Sequence, residues 1–155
     1  MSLIKPFSGI RPKKKFAKQV TSPNLSYINS YKLNKKLNFL NLLNTSNINK
    51  SKKMLQSLND KGIIKQDRSN HFYLYRITYI KKKLLGIVGK INLDNYDDKK
   101  ILGHEETFVE RIKKRKEQLL KFNNQVSPIY TVYKSNLNSI KKLNNIFKCK
   151  PDYNF

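Results

Sequence analysis

Carboxylates are the scarce chemistry of this chain. Ten Asp and Glu stand against 33 Lys and Arg, so the placement of the acids says more than that of the lysines. Seven of the ten, Asp94, Asp97, Asp98, Glu105, Glu106, Glu110 and Glu117, fall between positions 94 and 117. Inside that window lies Gly103-His104-Glu105-Glu106-Thr107, where a loop should pass into a helix. A glycine there lets backbone approach a ligand closely, and the unbonded amides of a helix start attract anions, phosphate above all. Two carboxylates would repel a phosphate unless a divalent cation lies between them or one of them takes the proton from an incoming hydroxyl. On this reading Glu105 is a general base or a magnesium ligand, His104 orients or donates a proton, and Gly103, Glu106 and Thr107 border the phosphate.

The same residues have a plainer use. Thr107 and Glu110 have the spacing of a capping box, and Glu105 and Glu106 favour a helix start through the macrodipole whether or not anything binds. His71, at the opening of an expected strand, reads as structural.

Those residues need a scaffold, and 155 residues suffice for one domain. We therefore expect residues 1–155 to form a single domain. At 38% hydrophobic and 11% aromatic the chain has enough apolar side chain to fold. No apolar run approaches a membrane span, and Met1-Ser2-Leu3-Ile4-Lys5-Pro6 has no signal-peptide core. One cysteine, Cys149, rules out an internal disulfide and a zinc module and suits a reducing compartment. A cytoplasmic location without membrane association is the expectation.

The net charge of +23 points to nucleic acid on its face. Its make-up argues otherwise. There are 28 Lys but 5 Arg, beside 19 Asn and 15 Ile, all residues with A/T-rich codons except the scarce one. Arginine reads bases and phosphates better because its planar fork bonds two acceptors at once.

Along the chain, Leu3 to Pro12 reads as an extended opening, too rich in Pro and Gly for a helix. Phe16 to Val20 is expected as a strand, Leu25 to Leu33 as a short helix and Phe39 to Leu43 as a strand. A helix after Ser51 carries Met54, Leu55 and Leu58 on one side and stops at Lys61-Gly62. His71 to Ile80 and Leu84 to Leu93, dense in aromatic and β-branched residues, read as a β-hairpin. Glu105 to Phe122 gives the clearest helix, with Phe108, Val109, Ile112, Leu119, Leu120 and Phe122 on one stripe. Residues 128–133 form a strand and Ser139 to Phe147 a last helix. The class is α+β: a small mixed sheet with a hairpin and flanking helices. The apolar tail, Phe147, Tyr153 and Phe155, has no following element to cover it, so the last strand is expected to keep an open edge or face.

Gly86 to Tyr96, Ile101 to Thr107, Arg115, and Asn123 to Tyr133 with Pro128 together resemble the uncharacterised-domain family 1015. That family's pattern is a strand ending near Asp and Tyr, a His-Glu-x-Thr motif, a charged helix, and an Asn-rich turn into a Pro-led strand. Lys5-Pro6-Phe7 with Ile10-Arg11-Pro12 resembles the family's opening. Three departures stand out: Ser22 to Tyr27 lacks the family's acid, Lys114 stands before Arg115 where Asp is usual, and Ser127 replaces the Gly before Pro128. Because family members are longer, the resemblance implies that this chain matches an N-terminal portion.

The resemblance further implies a fold similar to the ParB and sulfiredoxin-like group, which binds nucleotide phosphates and includes free-serine kinases. Arg115 would hold phosphate together with the helix-start amides, and Arg11 and Asn123 join the site residues by resemblance alone. The expected function is thus a nucleotide- or phosphate-binding domain of a phosphotransfer enzyme, using ATP or ADP with magnesium. The competing expectations are a ParB-like module that grips nucleic acid through its lysines, and a truncated chain with no activity of its own.

Overall fold

The computed structural model describes residues 3–21, 37–43, 47–80, 82–92, 101–102, 108–125, 128–134 and 136–154. In chain order the strands are β1 (Ile4–Lys5), β2 (Ile10–Pro12), β3 (Ile64–Gln66), β4 (Tyr73–Tyr79), β5 (Lys82–Val88) and β6 (Lys90–Ile91). The helices are α1 (Ala17–Val20), preceded by a 3-10 turn at Lys14–Phe16, then α2 (Leu40–Leu43), α3 (Ile48–Asp60), α4 (Val109–Phe122) and α5 (Leu137–Ile146). This is an α+β chain. In place of one mixed sheet there are, among the described residues, three two-stranded pieces, β1 with β6, β2 with β3, and β4 with β5. Contacts divide the backbone into two units, Met1–Arg11 with Gln66–Phe108, and Pro12–Lys65 with Val109–Phe155.

The first unit is built on the hairpin. β4 and β5 pair antiparallel over their whole length, from Tyr73 opposite Val88 to Tyr79 opposite Lys82, as their aromatic and β-branched content demands. Ile80, in the two-residue turn, has φ of 54°, a left-handed conformation that primed hairpin turns require and that a β-branched side chain resists. The extended opening lies antiparallel to the rest: Ile4 is opposite Ile91, and Phe7 and His71 exchange backbone bonds of 3.0 and 2.9 Å. The His71 Nε2 also lies 2.9 Å from the Ser69 hydroxyl.

The second unit holds the apolar core. Val20, Leu58, Ile63 and Ile64 are buried together, with Phe16, Leu37, Phe39, Met54 and Leu55 packed on them. The stop of α3 makes this cluster. Gly62 takes φ of 61°, its N–H donates to the Asn59 carbonyl at 2.8 Å and the Ile63 N–H to the Leu58 carbonyl at 2.9 Å. That is a Schellman cap, which brings the residue after the glycine against the last helical turn. Ile63 and Leu58 are those two residues. At the other end of α3, Asn47 caps the Lys50 amide, and the buried Ser51 hydroxyl donates to the Leu42 carbonyl at 3.0 Å, tying α3 to α2.

Several expectations are corrected here. Phe16 to Val20 is helical, because Ala17, Lys18 and Gln19 are good helix formers and show no alternation. Phe39 to Leu43 ends in α2; a short apolar run does not distinguish helix from strand. Residues 128–133, expected as a strand, belong to no ladder. The helix expected from Glu105 begins at Val109, with Phe108 outside it. Of its apolar stripe Phe122 is buried, while Phe108, Val109, Ile112, Leu119 and Leu120 are exposed. The helix expected at Leu25 to Leu33 lies outside the described residues.

The C-terminal tail turns back within its unit. Asn136 caps α5 by accepting from the Ser139 amide at 2.8 Å. Beyond the helix the Tyr153 hydroxyl donates to the Pro12 carbonyl at 2.6 Å, and Asp152 lies 3.1 Å from the Lys14 ammonium. Tyr153 and Phe147 are half-buried. No helix among the described residues is long and apolar enough to cross a membrane.

Two substitutions test this description in urea denaturation. Leu58→Ala should cost about 2–4 kcal/mol, the usual loss for a buried leucine. Ile80→Asn should add about 0.5–1 kcal/mol, since asparagine accepts the left-handed turn and Ile80 is exposed. A neutral Leu58→Ala or a destabilising Ile80→Asn contradicts the core or the turn.

Candidate functional site

The most elaborate polar cluster lies in the first unit, around Asp67. The chain leaves β3 at Gln66 and turns before β4, and Asp67 is the first residue of that turn. Its amide donates to the Gly9 carbonyl at 3.0 Å, and its carbonyl accepts from the Ser8 hydroxyl. Its carboxylate, only 6% exposed, accepts from Arg11 Nε at 2.9 Å on Oδ1 and 2.8 Å on Oδ2. The Tyr73 hydroxyl donates to Oδ2 at 2.7 Å and accepts from the Gly9 N–H at 2.8 Å. Gly9 cannot be replaced cheaply here, because a Cβ would stand 2.8 Å from the tyrosine oxygen. The Tyr73 ring packs at 5.1 Å on Phe7.

This geometry holds protons rather than releasing them. Burial raises the Tyr73 pKa first, the hydrogen bond to Asp67 raises it further, and the Gly9 amide and Arg11 oppose the shift only partly. Tyr73 is therefore a neutral donor at physiological pH and not a nucleophile or base. The paired Arg11 compensates the buried carboxylate, as such a charge requires. What the cluster achieves is orientation: Arg11, its side chain 28% exposed, has one edge of its guanidinium fixed.

The other expected site residues are distributed as follows. Gly103, His104, Glu105, Glu106 and Thr107 lie outside the described residues. Arg115 is half-buried on α4 and Asn123 follows it, both in the second unit. Asn123 has φ of 53°, and its N–H donates to the Leu119 carbonyl at 2.8 Å. It is the left-handed residue that ends α4, a role asparagine fills well. No group of acidic, His and Cys side chains fit to hold a metal occurs among the described residues.

Asp67 and Tyr73 were not among the residues singled out from sequence. The available signal was scarcity: Asp67 is one of three acids outside the 94–117 window. Its neighbours Arg68, Ser69 and Asn70 made it look like ordinary turn composition.

An α+β chain whose opening strand is held by Arg11 and Tyr73 on the buried Asp67 carboxylate defines a class of scaffold rather than an activity. Residues 4–155 match the model of the family described as protein of unknown function (DUF1015), and the chain belongs to that family. No curated protein and no solved structure matches it.

The cluster predicts a specific pH response. The folded-state pKa of Tyr73 is raised, so the stability it contributes is present below the ordinary tyrosine value of about 10 and is lost as pH climbs above it. Tyr73→Phe should lower stability at pH 7 by about 1–2 kcal/mol, because Gly9 N–H and Asp67 Oδ2 each lose a partner. It should also flatten the alkaline decline. Asp67→Ala should cost more, about 2–3 kcal/mol, because it strands a partly buried arginine. Melting curves between pH 7 and 11 decide; an alkaline limb unchanged in Tyr73→Phe contradicts the assignment.

Proposed function

We propose that this chain is a phosphate-binding domain, taking a nucleotide or phosphorylated metabolite as part of a phosphotransfer reaction. The observation that carries the reading is the clamping of Arg11 by buried Asp67. An arginine fixed along one edge has already lost the side-chain freedom that binding would otherwise remove, and its planar cation is matched to phosphate oxygens. Because Asp67 offsets that charge, Arg11 supplies direction, and further attraction must come from elsewhere. Gly103 to Thr107, within the sequence span of the same unit, is where we place it. Backbone amides and Thr107 would face phosphate, Glu106 would border it, and Glu105 would act as base or magnesium ligand with His104 beside it. The ligand would be ATP or ADP with magnesium, in a cytoplasmic protein, on a scaffold of the ParB and sulfiredoxin-like kind.

The second reading, a nucleic-acid module, is favoured by the +23 charge and the exposed lysines that line the surface from Lys13 to Lys15. The two readings respond oppositely to the same experiment. MgATP or MgADP at millimolar concentration should raise the melting temperature by about 3–6 °C, as preferential binding to the folded state requires. His104→Ala and Glu105→Ala should abolish that shift. If the lysines act instead, nucleotides leave the melt unchanged, duplex DNA binds at low salt and is released as salt rises, and Glu105→Ala has no effect.

A further inference from the structure

Residues 128–134, Pro-Ile-Tyr-Thr-Val-Tyr-Lys, have the composition of a strand and none of a strand's partners. They belong to no helix and no ladder, and within the described structure not one of the seven makes a hydrogen bond. Ile129 and Val132 are 81% and 87% exposed, and Tyr130 and Tyr133 are more than half exposed. A β-branched and aromatic segment with an unbonded backbone matches the edge of a sheet, where it gains both ladder bonds and cover for alternate side chains.

We propose that residues 128–134 are a donor strand that pairs with the outer edge of β5 in a second copy of this chain, giving a reciprocal strand-exchanged dimer. Three observations favour a second copy as the occupant. The chain carries the acceptor as well as the donor: among the described residues β4 and β5 form a sheet of two strands, an arrangement marginal in water until a third strand joins it. The sizes agree, since β4 and β5 have seven residues each and the donor has seven. The chemistry also agrees. Ile77 and Leu84 face each other across the hairpin and, with Tyr79, leave an exposed apolar row on one side. The donor would extend that row with Ile129 and Tyr133 or, in the other register, with Tyr130 and Val132. Electrostatics point to this segment too. Copies carrying +23 repel each other, and residues 122–133 contain no charged side chain. Reciprocal exchange closes the assembly at two, because each copy gives one strand and receives one.

Light scattering on the full chain, across concentration and salt, tests the proposal. The expected result is a monomer–dimer equilibrium whose dimer fraction rises with salt as repulsion is screened. Thr131→Pro removes a ladder donor and Val132→Lys places a charge in the interface. Each should weaken dimerisation at least tenfold. Both should leave the circular dichroism and the melt of the monomer unchanged, because the segment makes no bond there. Hydrogen exchange should slow at residues 129–133 in the dimer and quicken on dilution. A monomer at every concentration, a dimer indifferent to both variants, open-ended association, or slow exchange at 129–133 in the monomer would each overturn the proposal.

Discussion

The buried carboxylate of Asp67 is the constraint on which the opening of this molecule depends. Leu3 to Pro12 contains two prolines and a glycine and has little tendency to hold any conformation alone. Asp67 meets it at three levels: its amide binds Gly9, its carbonyl takes the Ser8 hydroxyl, and its carboxylate takes Arg11. A buried carboxylate tolerates no such site without compensation, so the segment that brings Arg11 is held as firmly as the charge is costly to expose. Tyr73 extends the constraint to the hairpin, since one hydroxyl serves both Asp67 and Gly9. Polar bonds do here what an apolar core does in larger units.

The second unit follows a different logic. Its core gathers around one helix stop, where Gly62 turns the chain so that Ile63 returns onto Leu58. Few side chains join them, and much apolar surface on α4 and on residues 128–134 stays uncovered. The helix stripe is amphipathic, yet only Phe122 near its end is buried. Amphipathic periodicity states which side of a helix is suited to burial, and what meets that side is a separate matter.

That distinction explains which parts of the structure were legible from sequence. The hairpin, α3 with its stop at Lys61-Gly62, α5 and the existence of α4 rest on local patterns, and local patterns were enough. Phe16 to Val20 and Phe39 to Leu43 are ambiguous in sequence because five apolar or mixed residues suit either period. Residues 128–134 fulfil every local requirement of a strand and still lack a ladder, which is a property of the partner and not of the segment. Arg11 is marked by the family resemblance, while Asp67 and Tyr73, distant in sequence from Arg11, carry no local motif. An ion pair spanning 56 residues leaves no mark on either neighbourhood.

Scarcity, rather than motif, is the signal that would have found Asp67. The three acids outside the 94–117 window are Asp60, Asp67 and Asp152, and each has a partner: Gln56 at 2.7 Å, Arg11 with Tyr73, and Lys14 at 3.1 Å. The three differ in weight. Asp60 and Asp152 are exposed and their contacts contribute little, as surface pairs do. Asp67 is buried, and only there does removing the partner leave a charge that water cannot reach. In a chain with 33 cations, finding a cation for an acid requires no selection, but burying the acid beside one particular arginine does. Burial therefore separates the one acid that organises the opening strand from the two that merely sit among lysines. The same reasoning applies to the acid-rich stretch that precedes α4: carboxylates concentrated there are informative to the extent that something other than solvent meets them.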